Sequence, residues 1–390
     1  MSYNFLFNIF LILMLTKIFS LVSKKMNMPA IVGALASGII LGPACFNVLH
    51  ETEFLIQLSE LGVIVMMFTA GLEVDIHELK KSGKASFFIA LLGVIVPLLM
   101  GTILATCFNI PKNIFDLSDM QVLKNIFLGV IFTATSVSIT VETLKELGKL
   151  TTRVGNVVLG AALIDDILGI IALTIITSLA SPTAPNPLIV IFKIIMFFVL
   201  SIVIYNLLSD RLTKWMDKSE KGLRRYTILS FSLCLLLAFV AEKYFGVADI
   251  TGAFIAGIIL SNSSKSFYLD RRFSILSYML LSPVFFASIG LKVSFAGLNS
   301  SLILFTVLVV IVSMISKVIG CGLAAKMFKF DNKEALQIGT SMMTRGEVAL
   351  IVANKGAEVG LMTNAYFAPI IIMIICCALF APILLKKLFS

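Results

Sequence analysis

GALASGIIL (33–41) and GAFIAGIIL (252–260) are two copies of one glycine-spaced apolar segment, 219 positions apart. The offset persists beyond them: Gly71, Leu72 and Val74 recur as Gly290, Leu291 and Val293, within FTAGLEV and FASIGLKV. Further apolar runs, broken by charged or turn-rich segments, flank both copies. They fall near 3–22, 29–46, 55–72, 85–108, 122–142, 154–180, 186–208, 226–243, 247–262, 275–291, 301–327, 334–357 and 364–385. That makes thirteen, measured against the roughly 20 apolar residues of a bilayer crossing. The copies occupy runs two and three and runs nine and ten. A shift of seven crossings is odd, so the copies traverse the membrane in opposite senses, as an inverted-topology repeat. Chance likeness of glycine-rich helices is the plainer reading, and one fixed offset over two blocks argues against it. Order alone then pairs run five with run twelve. Both have polar, helix-weakening centres, TATSVSIT (133–140) and TRGEVAL (344–350). Interrupted helices at matching positions of two repeats point to a transport site. Backbone freed at that depth must line a cavity or be buried in protein.

Composition agrees. Of 390 residues, 59% are apolar and 14% charged, with a mean hydropathy of +1.04. Soluble domains run near 45–50% apolar and about 25% charged, which excludes a soluble globular protein. Thirteen crossings of about 20 residues leave loops and tails but no room for an appended soluble domain. The last run ends in Lys386, Lys387, Leu388, Phe389 and Ser390, so no regulatory module is expected after it. The net charge of +9 would suggest nucleic acid only if its placement were ignored. Of 31 Lys and Arg, 22 lie in alternate loops beginning with Lys24 and Lys25 and five in the opposite loops; Lys17, Lys193, Lys317 and Arg345 fall within runs. Basic residues gather on the cytoplasmic side, so the chain reads as N-terminus outside and C-terminus cytoplasmic. The first run is expected to stay uncleaved, because Lys24 and Lys25 stand where a small-residue cleavage site belongs. The six cysteines lack metal-type spacing and read as small core residues.

The chemistry centres on Asp165 and Asp166, in GNVVLGAALIDDILGIIALTII. Each carboxylate at mid-bilayer costs at least about 2.5–3.5 kcal/mol on insertion scales, so two adjacent ones need a reason. A purely structural hydrogen-bonding pair is one. The other starts from the 100° that separates consecutive helical residues, which lets the two acids do different work. One beside a fixed cation stays ionised, and the second becomes the place where a proton and a cation compete. Lys317, sixteen residues into run eleven, is the available cation. Snorkelling to the interface is disfavoured by the distance to Lys326, and pairing with an aspartate of run six is expected. Arg345 and Glu347 fit two readings equally, a mutual structural pair across a helix break or a place on the ion path. Thr133, Thr135, Ser136 and Ser138 supply hydroxyl oxygens, and carbonyls if the helix unwinds, though such residues also serve as interhelix contacts. His50 and His77 read as loop residues, and Glu73 and Asp75 as loop charges. There is no phosphate-cradling loop and no HExxH metal motif, which removes an ATP-driven pump and a membrane metalloprotease.

With these residues in hand, the chain resembles the monovalent cation:proton antiporter family, in the branch of bacterial sodium/proton exchangers and potassium-efflux relatives. The resemblance runs through GALASGIILGP (33–43), FTAGLEVD (68–75), TSVSIT (135–140), LIDDILGI (163–170), FFASIGLKV (285–293), SKVIGCGL (316–323) and MTRGEVALIVA (343–353). It implies an all-α polytopic membrane protein of 13 transmembrane helices, with two crossed discontinuous helices and an inverted-topology repeat. It implies a homodimer whose protomers join a dimerisation scaffold (1–83, helices 1–3; 224–298, helices 8–10) to a mobile ion-transport core (84–182, helices 4–6; 299–390, helices 11–13). Residues 183–223 form the linking helix 7. The implied mechanism is an elevator, with Asp166 carrying the ion and the proton, Asp165 paired with Lys317, and Thr135 and Ser136 near the ion. Potassium-efflux relatives carry Gln-Asp for Asp-Asp and often a nucleotide-binding domain, and this chain departs from both. Paired aspartates with a lysine imply electrogenic exchange.

The expected function is therefore proton-coupled Na⁺ (or Li⁺) antiport serving pH homeostasis at a plasma membrane. It is not an enzyme, needs no cofactor beyond the transported ions and binds no nucleic acid. A K⁺/H⁺ exchanger or ligand-gated potassium-efflux system is the main rival. An anion symporter would call for arginine at the substrate site instead of paired acids.

Overall fold

The computed structural model describes residues 4–74, 76–109, 119–181, 185–217, 223–293 and 300–390. Every regular element among them is helical. In chain order they are α1 (Asn4–Lys25), α2 (Ala30–Leu41), α3 (Glu53–Glu73), α4 (Ile76–Phe108), α5 (Met120–Thr133), α6 (Val137–Glu146), α7 (Arg153–Ala180) and α8 (Pro187–Asp217). Then come α9 (Leu223–Val240), α10 (Asp249–Ser261), α11 (Ser266–Leu276), α12 (Ser282–Leu291), α13 (Ser300–Met327), α14 (Asn332–Met342), α15 (Glu347–Glu358) and α16 (Asn364–Phe389). Single π-helical turns extend α9 (Ala241–Phe245) and join α11 to α12 (Ser277–Leu281).

Local sequence explains many of the ends. Thr152 accepts the Gly155 N–H at 3.2 Å ahead of α7, and Asp119 accepts the Gln121 N–H at 2.8 Å ahead of α5. Asp331 and Glu334 form a reciprocal capping box on α14. Past α6 and α15 the chain turns through left-handed glycines, Gly148 (φ +65°) and Gly360 (φ +76°), a conformation that a Cβ disfavours.

Among the described residues, ten stretches are long and apolar enough to cross a membrane, counting α5 with α6 and α11 with α12; α2 and α10 are shorter apolar helices. Large apolar side chains cover outer faces, such as Phe7 and Phe10 of α1 and Leu188 and Phe192 of α8. Acyl chains are the solvent that tolerates them.

Two helix clusters emerge from the packing. In one, α3 lies against α10 and α12, α2 against α1 and α12, and α9 against α10. In the other, α4 lies against α5, α7 and α13, and α13 against α14 and α16. Backbone approaches hold the first cluster together. A Cβ at Gly38 of α2 would fall 2.0 Å from the Ala287 carbonyl oxygen, and one at Gly257 of α10 would fall 2.4 Å from that of Phe68. These contacts correspond position by position at the 219 offset. Small residues let membrane helices come this close.

Several expectations need correction. Glu73 is no loop charge: it is the last residue of α3 and pairs with Lys145 at 2.6 Å. His77 lies in the first turn of α4 rather than in a loop, whereas His50 does fall between helices. Asp75 lies outside the described residues. Of the cysteines, Cys45 and Cys107 are exposed and only Cys234, Cys321 and Cys377 are fully buried.

Candidate functional site

The aspartates stand midway along α7, in a stretch without other charges, and both are buried. Lys317 reaches them from α13. Its Nζ donates to Asp165 Oδ1 at 2.5 Å, with side-chain exposures of 0% and 1%. Taking two charges out of water carries a desolvation penalty that only close geometry offsets. Asp165 is thus spoken for by a cation, and Asp166 follows it one residue along the same helix.

The pair fits because α4 presents bare backbone beside it. A Cβ at Gly93 would stand 3.5 Å from Lys317 Nζ, 3.6 Å from Asp165 Oδ1 and 2.7 Å from Cys321 Sγ. The thiol, four residues beyond Lys317 on α13, donates to the Ile89 carbonyl at 3.5 Å. Sequence reasoning missed Gly93 and Cys321 as neighbours of the pair. The one available signal was a glycine inside a helix, where it carries a conformational-entropy penalty.

Beside the aspartates, two helices break and meet. The chain is non-helical at 134–136, between α5 and α6, and around 343–346, between α14 and α15. The Ser136 N–H donates to the Thr344 carbonyl at 3.0 Å, and the Thr344 hydroxyl returns a bond to the Ser136 carbonyl at 2.9 Å. Thr140 and Thr344 share a hydroxyl–hydroxyl bond of 2.6 Å. Thr135 donates to the Met342 carbonyl at 3.3 Å. Backbone groups orphaned by one break are therefore met by the other, as burial demands. Hydroxyl side chains that compete for backbone groups explain why both sequences leave the helix here. Thr133 spends its hydroxyl on Val130 of its own helix at 2.7 Å, and Ser138 contacts the Ser136 hydroxyl at 3.1 Å.

Arg345 is fully buried. Its guanidinium donates to the Ala134 carbonyl and, at 3.3 Å, to that of Ser313. Ala134 caps the C-terminus of α5, so the cation sits on the negative end of a half-helix dipole. Glu347 opens α15, and its side chain lies outside the described residues. Gly346 is required between them, since a Cβ there would fall 2.6 Å from Ser136 Oγ. Asp165, Lys317, Thr135, Ser136 and Arg345 thus converge on one region with Asp166 beside them. It combines carboxylates, hydroxyls, opened backbone and two buried cations. Such a set can hold a small desolvated cation on oxygen atoms and let a proton displace it.

Comparisons with known proteins follow the same lines. The family model "Sodium/hydrogen exchanger, transmembrane" matches residues 10–390. The chain is 36% identical over 392 residues to the Na(+)/H(+)-K(+) antiporter GerN of Bacillus cereus, covering 100% of this chain and 97% of that protein. It is 34% identical to a Na(+)/H(+) antiporter of Enterococcus hirae, covering 96% of each. Among solved structures it is similar to the sodium proton antiporter MjNhaP1 of Methanocaldococcus jannaschii. The TM-score is 0.72 at 19% identity, over 99% of this chain and 95% of that one.

Proposed function

Because the chain belongs to the sodium/hydrogen exchanger family, we propose that it is a multi-pass secondary antiporter exchanging Na⁺ (or Li⁺) for H⁺ across a plasma membrane. The family is one of exchangers, not enzymes. The observation that carries the reading is the buried Asp165–Lys317 pair next to Asp166, where two helix breaks meet.

Asp166 binds the cation when ionised and releases it when a proton returns, so the two occupants exclude each other. Lys317 holds Asp165, and the exchange is electrogenic if Lys317 gives up its proton as the cation arrives. Thr135 and Ser136 offer oxygen atoms to the ion, and Arg345 neutralises the end of α5.

The full architecture is thirteen crossings in an inverted repeat. The ten long stretches among the described residues, with the short α2 and α10 and the broken α14–α15, are what supports that number. The paired glycine contacts support the repeat, and the basic-loop bias supports an outside N-terminus and a cytoplasmic C-terminus. Residues 84–182 and 299–390 form a core that slides as an elevator against a scaffold of 1–83 and 224–298. Helix 7 links them, and the scaffold pairs two protomers in a homodimer. The two helix clusters are what supports this division.

A second reading, K⁺ as an alternative cargo, is favoured by the name of one relative, which includes both ions. Proteoliposome flux tests both. An imposed pH gradient should drive Na⁺ movement, and Asp166→Asn should abolish it while the protein stays folded. Retained Na⁺/H⁺ exchange in that variant would refute the assignment, and K⁺ in place of Na⁺ decides the cargo.

A further inference from the structure

The repeat carries a charge asymmetry that the exchange reaction does not require. Glu73 ends α3, and its counterpart at the 219 offset is Lys292, which caps α12. Asp270 of α11 corresponds in the same way to Glu51, and Ala30 to Asp249. In the broken helices, Lys145 and Lys355 are each the ninth residue of their half, α6 and α15, and Glu146 and Gly356 each the tenth.

At the α6 end, groups of the scaffold depend on the core. Lys145 Nζ lies 2.6 Å from Glu73 Oε1 and 3.3 Å from Asp270 Oδ1. The Glu146 carboxylate accepts the Ala30 N–H at 2.8 and 2.9 Å, capping α2 from across the seam. At the α15 end the corresponding groups satisfy themselves. Lys292 pairs with Glu51 at 3.3 Å, inside the scaffold. Asp249 accepts the Ile250 N–H at 2.7 Å within α10. Lys355 pairs with Glu358 on its own helix at 3.0 Å, and Gly356 has no side chain to offer.

We propose that this asymmetry is a built-in conformational bias, in which the end of α6 locks the core to the scaffold and the end of α15 makes no matching lock among the described residues. The inference rests on the inverted-repeat, sliding-core reading above. In such a construction the second state resembles the first with the repeats exchanged. Lys145 between the acids Glu73 and Asp270 then becomes Lys355 facing Lys292 and Glu51, so an attraction by two acids becomes one acid already spent on a repelling lysine. The bridge is also breakable. Its side chains are 25% and 24% exposed, a setting in which ion pairs are weak. Lys145 and Glu146 further line a cavity of about 520 Å³, together with Ala30 and Ser274, so the seam is not tightly packed there.

The test uses the full chain in vesicles, with the apparent KM for Na⁺ measured from each face. A depopulated state raises the apparent KM at its own face in proportion. Lys145→Gln should shift the ratio of the two KM values by roughly three- to fivefold. Lys292→Glu, which gives Lys355 a partner, should shift it in the same direction, and Lys145→Arg should leave it unchanged. Distances between spin labels on α6 and α3 in the same variants read the populations without transport, so a failure of the antiport reading still leaves the bias decidable. Unchanged label distances and KM ratios in Lys145→Gln and Lys292→Glu would overturn it, as would an equal shift in Lys145→Arg.

Discussion

Lys317 and Asp165 are individually unfavourable and jointly stable. Each is buried, and neither could remain charged in a low-dielectric interior without the other. Removing one partner strands the other, so Lys317→Gln should cost about 3–5 kcal/mol of stability, read as an earlier midpoint in thermal or denaturant unfolding. Asp165→Asn combined with Lys317→Gln removes both charges and should recover most of the loss. A double variant no more stable than Lys317→Gln alone would show that the two do not act as a pair. The same single variant, where it still exchanges, should do so without moving net charge. Persistent electrogenicity would take Lys317 out of the charge cycle. Arg345 obeys the same rule by another route, since its partners are carbonyls of Ala134 and Ser313.

At the scale of the helix, glycine sets how closely elements approach. Gly38 against Ala287 and Gly257 against Phe68 are one contact made twice, and each leaves no space for a methyl group. Gly38→Ala and Gly257→Ala should each destabilise by about 1–3 kcal/mol, the usual range for overpacking. Their effects should be similar, since the local geometry repeats. A large loss in one with none in the other, measured by thermal unfolding in the same detergent, would argue against equivalent halves. The interrupted helices follow a different rule. TATSVSIT and TRGEVAL stop being helical where hydroxyl side chains and Gly346 weaken the ladder, and each break supplies partners the other lacks. Neither break is stable alone in an apolar medium.

For the whole molecule, the sliding-core reading makes a mechanical prediction. Joining Glu146→Cys to Ala30→Cys with a short thiol cross-linker ties α6 to α2 where the two already meet. In a background freed of the six native cysteines, that tie should stop exchange in proteoliposomes, and a reducible linker should restore it on reduction. Full activity in the cross-linked protein would exclude movement at this seam. The all-helical class, the apolar segments, the two weakened helices and the burial of Asp165, Asp166 and Lys317 inside those segments could all be read from the chain. Hydropathy and the cost of a charge in hydrocarbon act on each segment by itself, so they leave their mark in local sequence. Which aspartate Lys317 takes came only through the family resemblance, and the carbonyls under Arg345, the gap at Gly93 and the pairing of Glu73 with Lys145 could not be read at all. Those depend on the rotation and spacing of helices far apart in sequence. Such parameters are set by the summed packing of all neighbours, and no stretch of the chain encodes them alone.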